Sequence, residues 1–158
     1  MSKKWLLALY KINEVNRLEK NLSNQKFDYY LPKIKIKRLN STKVEKLFPG
    51  YIFVNTCPEN YTALKYTKGL KSIIKFGENI AYLTDEEIKK IRIIEDSSQS
   101  KPIISKIRIG QEAIVAKGIF KGMLVKVCSL PAKKRVDILL YFLGSRRKTS
   151  ISEKDLIF

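Results

Sequence analysis

The chain has 158 residues, of which 44% are hydrophobic, so its composition supports a buried core and excludes a disordered chain. It carries 32 Lys and Arg against 15 Asp and Glu, and this net charge of +17 predicts a polyanionic partner. It has no histidine, which excludes a histidine general base and the catalytic triads built on one.

The remaining composition excludes further classes of protein. No apolar run approaches the roughly 20 residues that cross a bilayer, so we expect a cytoplasmic protein without a membrane partner. Cys57 and Cys128 lie far apart and are predicted to be buried free thiols. The one acidic cluster, residues 85–87, follows Thr84 and reads as a helix cap. We therefore expect no enzyme, no metal site and no cofactor.

The N-terminal elements alternate between two periodicities. Residues 5–10 form a continuous apolar run, which predicts a strand covered on both faces. The apolar residues Ile12, Val15, Leu18 and Leu22 then recur at helical spacing. Residues 33–37 alternate isoleucine with lysine, and 44–47 return antiparallel, so this region is predicted to be a hairpin with a lysine-coated face.

The next elements are shorter. Residues 51–54 predict a buried strand, and Pro58 opens a short helix that ends at Gly69. Strands are predicted over 72–76 and 80–83. Thr84 and Glu87 have the spacing of a capping box, which predicts a helix with isoleucines at 88, 91 and 94 on one face.

The C-terminal third has a different pattern. A short polar stretch that contains Pro102 is predicted to be a linker over 96–105, between a domain at 3–95 and a second one at 106–158. Short segments rich in β-branched residues follow at 113–116, 124–127, 136–142 and 149–151, separated by glycines. Their spacing favours a small five-stranded barrel. The run at 139–143 is also compatible with a helix.

Several of these segments resemble one protein family. The sequences WLLALYK at 5–11, YLP at 30–32, LFPGYIFV at 47–54 and IKFG at 74–77 resemble the N-terminal domain of NusG-type transcription elongation factors. Residues 110–122 and 143–144 resemble their C-terminal KOW domain. The short connection between the first helix and 30–32 is similar to that of RfaH-type specialised members.

The resemblance implies an α+β protein. Its N-terminal (NGN-type) domain would be an antiparallel sheet flanked by helices, followed by a five-stranded KOW-type β-barrel. The alternative for the C-terminal domain is a helical hairpin that masks the polymerase-binding site, as in autoinhibited RfaH.

The resemblance also implies a polymerase-binding surface. Leu9, Phe48, Pro49 and Phe76 match positions of an exposed apolar surface that docks on the clamp helices of RNA polymerase. Phe48 comes directly before Pro49 and Gly50, where a strand is broken, so its side chain is expected to leave the core. The competing interpretation is that these residues are simply buried core. One departure lies at residues 59–64, where RfaH has a histidine followed by threonines that contact the polymerase gate loop.

Nucleic-acid contacts are implied at two places. The lysine-rich hairpin, with Lys35, Lys37 and Arg38, would lie near upstream DNA, although such a charge run can also be a solvated face. The second group matches positions near the face that reads the non-template strand in RfaH-like factors. Its members are Lys11, Arg17, Gln25 and Lys68.

In the C-terminal domain the resemblance implies a strand edge that binds a small-subunit ribosomal protein or Rho. The candidate residues are Ile138, Leu140, Phe142, Arg146 and Arg147. The predicted function is therefore a monomeric elongation and antitermination factor that docks on RNA polymerase, suppresses pausing and recruits a second partner. The alternative is a ribosome- or RNA-binding structural protein with a KOW barrel, which would need no apolar docking surface.

Overall fold

The computed structural model of the protein describes residues 2–38, 41–104 and 131–146. The described residues contain four α-helices, two short 3-10 helices and ten strands. The α-helices are α1 (Val15–Asn24), α2 (Tyr61–Lys65), α3 (Asp85–Ser100) and α4 (Ala132–Arg146). The strands are β1 (Lys4–Tyr10), β2 (Asp28–Tyr30), β3 (Lys33–Arg38), β4 (Ser41–Lys46), β5 (Tyr51–Thr56), β6 (Leu70–Ile73), β7 (Lys75–Phe76), β8 (Asn79–Ile80), β9 (Tyr82–Leu83) and β10 (Ile103–Ile104).

The chain divides into two compact units. The first comprises the described residues of Met1–Leu31 and Gly50–Ile88, and the second those of Pro32–Pro49 and Lys89–Phe158. The division interrupts the N-terminal segment, because the hairpin that was predicted as part of the 3–95 domain belongs to the second unit. None of the described helices is long and apolar enough to cross a membrane.

The first unit is built on a five-stranded sheet with β1 at its centre. The order is β2-β5-β1-β6, and β9 also pairs with β1. The pairs β1–β5, β1–β6, β1–β9 and β2–β5 are all antiparallel. Side chains on both faces of β1 are buried, with Trp5 and Leu7 on one face and Leu6 and Ala8 on the other, as the continuous apolar run predicted.

The core of the first unit lies between this sheet and α1. Leu18 and Leu22, one helical turn apart, are fully buried and pack with Leu6, Ala8 and Ile52. The predicted helical stripe is wrong at its first position. Ile12 lies in a 3-10 turn that precedes α1 and is exposed.

The second unit contains the predicted hairpin. Strands β3 and β4 pair antiparallel from Lys33↔Lys46 to Arg38↔Ser41, and β10 adds to β3 in parallel. Ile34 and Ile36 are buried, as their alternation with lysine predicted.

Helix α3 begins with the predicted capping box. The Glu87 backbone N–H donates to Thr84 Oγ1 at 3.2 Å, and the Thr84 backbone N–H donates to Glu87 Oε1 at 3.3 Å. These bonds satisfy donors that the first turn of a helix leaves without partners. The helix continues to Ser100, further than predicted.

The predicted linker is therefore wrong for most of its length. Residues 96–100 belong to α3, and Ile103–Ile104 form β10, so only Lys101 and Pro102 lie between the two elements. Ser98, within the predicted linker, has structural partners. Its hydroxyl accepts a hydrogen bond from the Lys35 backbone N–H at 3.0 Å and donates one to the Glu95 carbonyl at 2.7 Å.

The strand predicted over 136–142 is also wrong, because these residues lie within α4. The buried residues of α4 are Arg135, Ile138, Leu139 and Leu143, which have helical rather than alternating spacing. In the described part of the C-terminal region, the helix α4 agrees with the helical alternative. The other predicted barrel strands, 113–116, 124–127 and 149–151, and Cys128 lie outside the described residues.

Candidate functional site

The face of α1 that meets the turn after α2 brings four of the predicted nucleic-acid-binding residues together. Arg17, Asn21 and Gln25 follow one another at intervals of four, so they occupy one side of the helix. Gln25 Nε2 donates to Thr67 Oγ1 at 3.0 Å, and Asn21 Nδ2 donates to the Lys68 carbonyl at 3.3 Å. Lys11 joins them, because its backbone N–H donates to the Gly69 carbonyl at 3.0 Å.

Gly69 makes this close approach possible. Its φ is +98°, and a Cβ atom placed there would lie 2.8 Å from Leu18 Cβ of α1. Only glycine combines that dihedral angle with so little space. The turn therefore lies directly on α1 and holds Thr67 and Lys68 at a defined place.

The same face is mainly positive. Glu14 is its one half-buried carboxylate, and it forms ion pairs with Lys11 at 3.8 Å and with Arg17 at 2.8 Å. Lys65 and Lys68 are exposed nearby on α2 and on the turn. Exposed ion pairs of this kind are weak, so Lys11 and Arg17 can exchange Glu14 for a phosphate at low cost.

The hairpin carries the second predicted nucleic-acid contact. Lys37 and Lys43 are exposed, Lys35 is half-buried, and Arg38 ends β3 opposite Ser41. The edge of β3 that faces away from β4 is partly closed: Glu95 Oε2 accepts from the Lys33 backbone N–H at 2.9 Å, and Ser98 accepts from that of Lys35. The hairpin is thus a fixed ribbon on which Lys33, Lys35 and Lys37 share one face, whereas Lys43, opposite Ile36, lies on the other.

The predicted polymerase-binding residues differ in exposure. Pro49 is exposed, whereas Leu9 and Phe76 are half-buried. Phe48 is only 1% exposed, so the expectation that its side chain leaves the core is wrong for this conformation. In the second unit, the two residues directly before Phe48 are bound by α4 through hydrogen bonds to their carbonyls.

That binding depends on Arg135, which the sequence analysis did not single out. The Arg135 side chain is 0% exposed, and it lies beside Glu45, whose side chain is 24% exposed. Its Nη2 donates to Glu45 Oε1 at 2.9 Å and to the Lys46 carbonyl at 3.1 Å, and its Nε donates to the Leu47 carbonyl at 2.8 Å. In the sequence Arg135 follows two lysines, and nothing in this basic cluster indicates that one of its members is buried.

The predicted partner surface of the C-terminal domain is not an exposed strand edge here. Ile138 is 4% exposed because it lies on the buried side of α4. Leu140 and Phe142 are half-buried, and Arg146 is the last residue of the helix. Arg147 lies outside the described residues.

The start of the second helix, where the sequence departs from RfaH-like proteins, carries a small polar cluster. Asn60 Nδ2 lies 3.4 Å from Cys57 Sγ, and Cys57 is not in a disulfide. A hydrogen bond from the Cys57 side chain lowers the pKa of the exposed Glu59 carboxyl. Burial raises the pKa of Tyr61, with smaller contributions from Cys57 and Glu59.

In the described part of the chain, no group of three or more Cys, Asp or Glu could hold a metal ion.

Comparison with known proteins identifies the class. Residues 3–92 match the family described as "Transcription termination factor nusG". A solved structure of NusG from Thermotoga maritima, concerning domain interaction, is 22% identical and covers 68% of this chain and 67% of its own, with a TM-score of 0.42. A comparison with curated proteins gave no match.

The family match includes more than half of the chain, and the protein belongs to the NusG family. NusG-family proteins are non-enzymatic transcription factors that bind RNA polymerase. Family membership therefore indicates a factor that acts in transcription elongation or termination.

Proposed function

We propose that this protein binds RNA polymerase during elongation and suppresses pausing and termination. The observation that carries this proposal is the match of residues 3–92 to the NusG family. Its place of action is then the cytoplasm, at the nucleoid, where RNA polymerase transcribes.

The polymerase contact that we propose is apolar. Leu9, Pro49 and Phe76 would contact the clamp helices, and Phe48 would join them once its side chain is uncovered. Aromatic side chains suit this role because they contribute large buried area for little conformational entropy. Because Phe48 is buried in the described conformation, we expect the affinity for polymerase to depend on the conformation of the C-terminal region.

The nucleic-acid contact that we propose is electrostatic. The hairpin with Lys35, Lys37 and Arg38 would follow upstream DNA, and the α1 face with Lys11, Arg17, Gln25 and Lys68 would contact the non-template strand. The support is the net charge of +17 and the exposure of Lys37 on the hairpin and of Lys11 and Lys68 on the α1 face. Phosphate contacts position a protein without selecting a sequence.

We further propose that α4 restrains polymerase binding, as in an RfaH-type specialised member of the family. Arg135 binds the side chain of Glu45 and the carbonyls of the two residues directly before Phe48. These bonds hold residues 45–47 in place, and a buried Phe48 cannot act as an anchor. Release of α4 would free both Phe48 and Ile138.

Recruitment of a second partner is the remaining part of the proposal. A small-subunit ribosomal protein or Rho would bind the C-terminal domain through Ile138, Leu140, Phe142, Arg146 and Arg147. Because Ile138 is buried in the described conformation, this binding would require α4 to leave its present position.

The test is binding of the purified full-length protein to core RNA polymerase, to assembled elongation complexes and to ribosomes at low and high salt. Apolar docking predicts that polymerase binding persists at high salt, and transcription on a pause-containing template should show shorter pauses. Binding to ribosomes alone, lost at high salt, would favour the ribosome-binding alternative. Phe76→Ala should weaken polymerase binding, whereas Ile93→Ala, at an exposed apolar residue of α3, is the matched control.

A further inference from the structure

One large aromatic side chain of the first unit is left in solvent. Tyr66, at the end of α2, is 74% exposed, although tyrosine is a residue of intermediate burial on average. The Lys65 ammonium lies 5.7 Å from the centroid of its ring, and Lys68 follows two residues later. Most of the side chain is therefore open to solvent, next to the Lys65 ammonium and two residues from Lys68 in sequence.

The backbone that carries Tyr66 is held on both sides. The Tyr66 N–H donates to the Thr62 carbonyl at 3.3 Å, and the next residue is fixed by its hydroxyl, which donates to the Ala63 carbonyl at 3.0 Å. Gln25 and Asn21 of α1 bind the same turn. An aromatic ring on a fixed backbone loses little entropy when it binds a partner.

The positive charge around Tyr66 indicates a negatively charged partner. The four cations Lys11, Arg17, Lys65 and Lys68 lie on this turn or on the elements that contact it, against Glu14, which is already paired. A positive surface with one exposed aromatic ring is typical of single-strand binding, in which phosphates contact the cations and a base stacks on the ring. A duplex would hide the base faces that the ring can use.

We propose that the Tyr66 ring is a stacking platform for one base of single-stranded DNA, whose phosphates contact Lys65 and Lys68. This inference rests on the proposed function, because it adds a base contact to the surface that was proposed to meet the non-template strand. It assigns a role to a residue that the predicted set of Lys11, Arg17, Gln25 and Lys68 did not include.

The experiment measures binding of the full-length protein to a fluorescent single-stranded DNA of about 12 nucleotides by anisotropy, without polymerase. Loss of one stacked base weakens binding by about 5- to 100-fold, which is expected for Tyr66→Ala and for Tyr66→Leu. Tyr66→Phe keeps the ring and should retain affinity within about twofold. Since Tyr66 is exposed, none of the three should lower the midpoint of urea unfolding appreciably.

The salt dependence separates stacking from charge. Tyr66→Ala should leave the slope of log affinity against log salt unchanged, whereas Lys68→Gln should reduce it by about 0.7, the value for one phosphate contact with a single strand. Ile93→Ala, which removes exposed apolar surface elsewhere, is the control and should bind like the wild type.

Three results would overturn the inference: equal affinity of Tyr66→Leu and the wild type, an equal effect of Tyr66→Ala on duplex DNA, or a Tyr66 effect on RNA alone. A failed polymerase test together with Tyr66-dependent DNA binding would reject the proposed function and keep this inference. Polymerase binding together with DNA binding that the Tyr66 variants leave unchanged would keep the proposed function and reject this inference.

Discussion

Arg135 and Glu45 are 90 residues apart in sequence, and Arg135 Nη2 lies 2.9 Å from Glu45 Oε1 in the second unit. Burial removes both charged groups from water, which costs free energy, and two further hydrogen bonds from the arginine to main-chain carbonyls offset this cost. The arrangement ties α4 to the end of β4. It makes the position of α4 sensitive to a single side chain.

The first prediction removes this contact. Arg135→Met leaves Glu45 and two carbonyls without the guanidinium, a loss that typically costs about 3–5 kcal/mol for a buried pair. We expect α4 to detach, which chymotrypsin should report as faster cleavage after Tyr141 or Phe142, and we expect stronger polymerase binding. Lys134→Met loses the same charge from an exposed neighbouring position and should behave like the wild type. Unchanged cleavage and binding would show that Arg135 does not restrain the helix.

The second prediction concerns Phe48. Because the side chain is buried, Phe48→Ala should lower the free energy of unfolding of the full chain by about 3–5 kcal/mol, seen as a lower urea midpoint. Phe76→Ala is the comparison and should cost less, since Phe76 is only half-buried. A Phe48 variant of wild-type stability would mean that the side chain is exposed in solution.

The third prediction tests the hairpin lysines. Lys35→Glu combined with Lys37→Glu should weaken binding to elongation complexes mainly at low salt, because phosphate contacts act through counterion release. Lys3→Glu with Lys71→Glu changes the net charge equally at exposed positions outside the hairpin. If both double variants lose affinity alike, net charge rather than the hairpin is responsible.

The fourth prediction concerns the serine that closes the edge of β3. Ser98→Ala leaves the Lys35 backbone N–H without its acceptor, at a cost of about 1–3 kcal/mol. Urea unfolding should show the loss. The matched variant Ser97→Ala changes an exposed hydroxyl one residue earlier and should stay within about 0.5 kcal/mol of the wild type. Similar stability of the two variants would contradict the role given to Ser98.

The fifth prediction compares two glycines with positive φ. Gly50 and Gly69 have φ values of +91° and +98°, so alanine is strained at both. At Gly50 the new Cβ would lie 3.7 Å from Leu9 Cδ1, an ordinary contact, whereas at Gly69 it meets Leu18 at 2.8 Å. Gly50→Ala should cost about 1–2 kcal/mol and Gly69→Ala more, with a further loss of single-stranded DNA affinity. Equal stability losses would mean that the turn moves away from α1 freely.

The sequence alone predicted most of the first unit and the hairpin. The apolar run of β1, the alternating isoleucines of β3 and the Thr84–Glu87 cap depend on residues close together in the chain, so local patterns were enough to identify them. The residues of the α1 face were predicted from the resemblance to the family, and only the tertiary structure showed that Gln25 contacts the turn at Thr67.

The tertiary structure decided the points at which local patterns are ambiguous. A short apolar run such as 139–143 fits a helix or a strand. In the structure it lies within α4, the helix whose Arg135 is buried against residues 45–47. The serines near residue 98 have the composition of a linker, and only the tertiary structure places one of them, Ser98, on the backbone N–H of Lys35 in β3. Phe48 was expected at the surface from its proline neighbour, yet burial depends on which distant segment covers a side chain, and no local pattern encodes that.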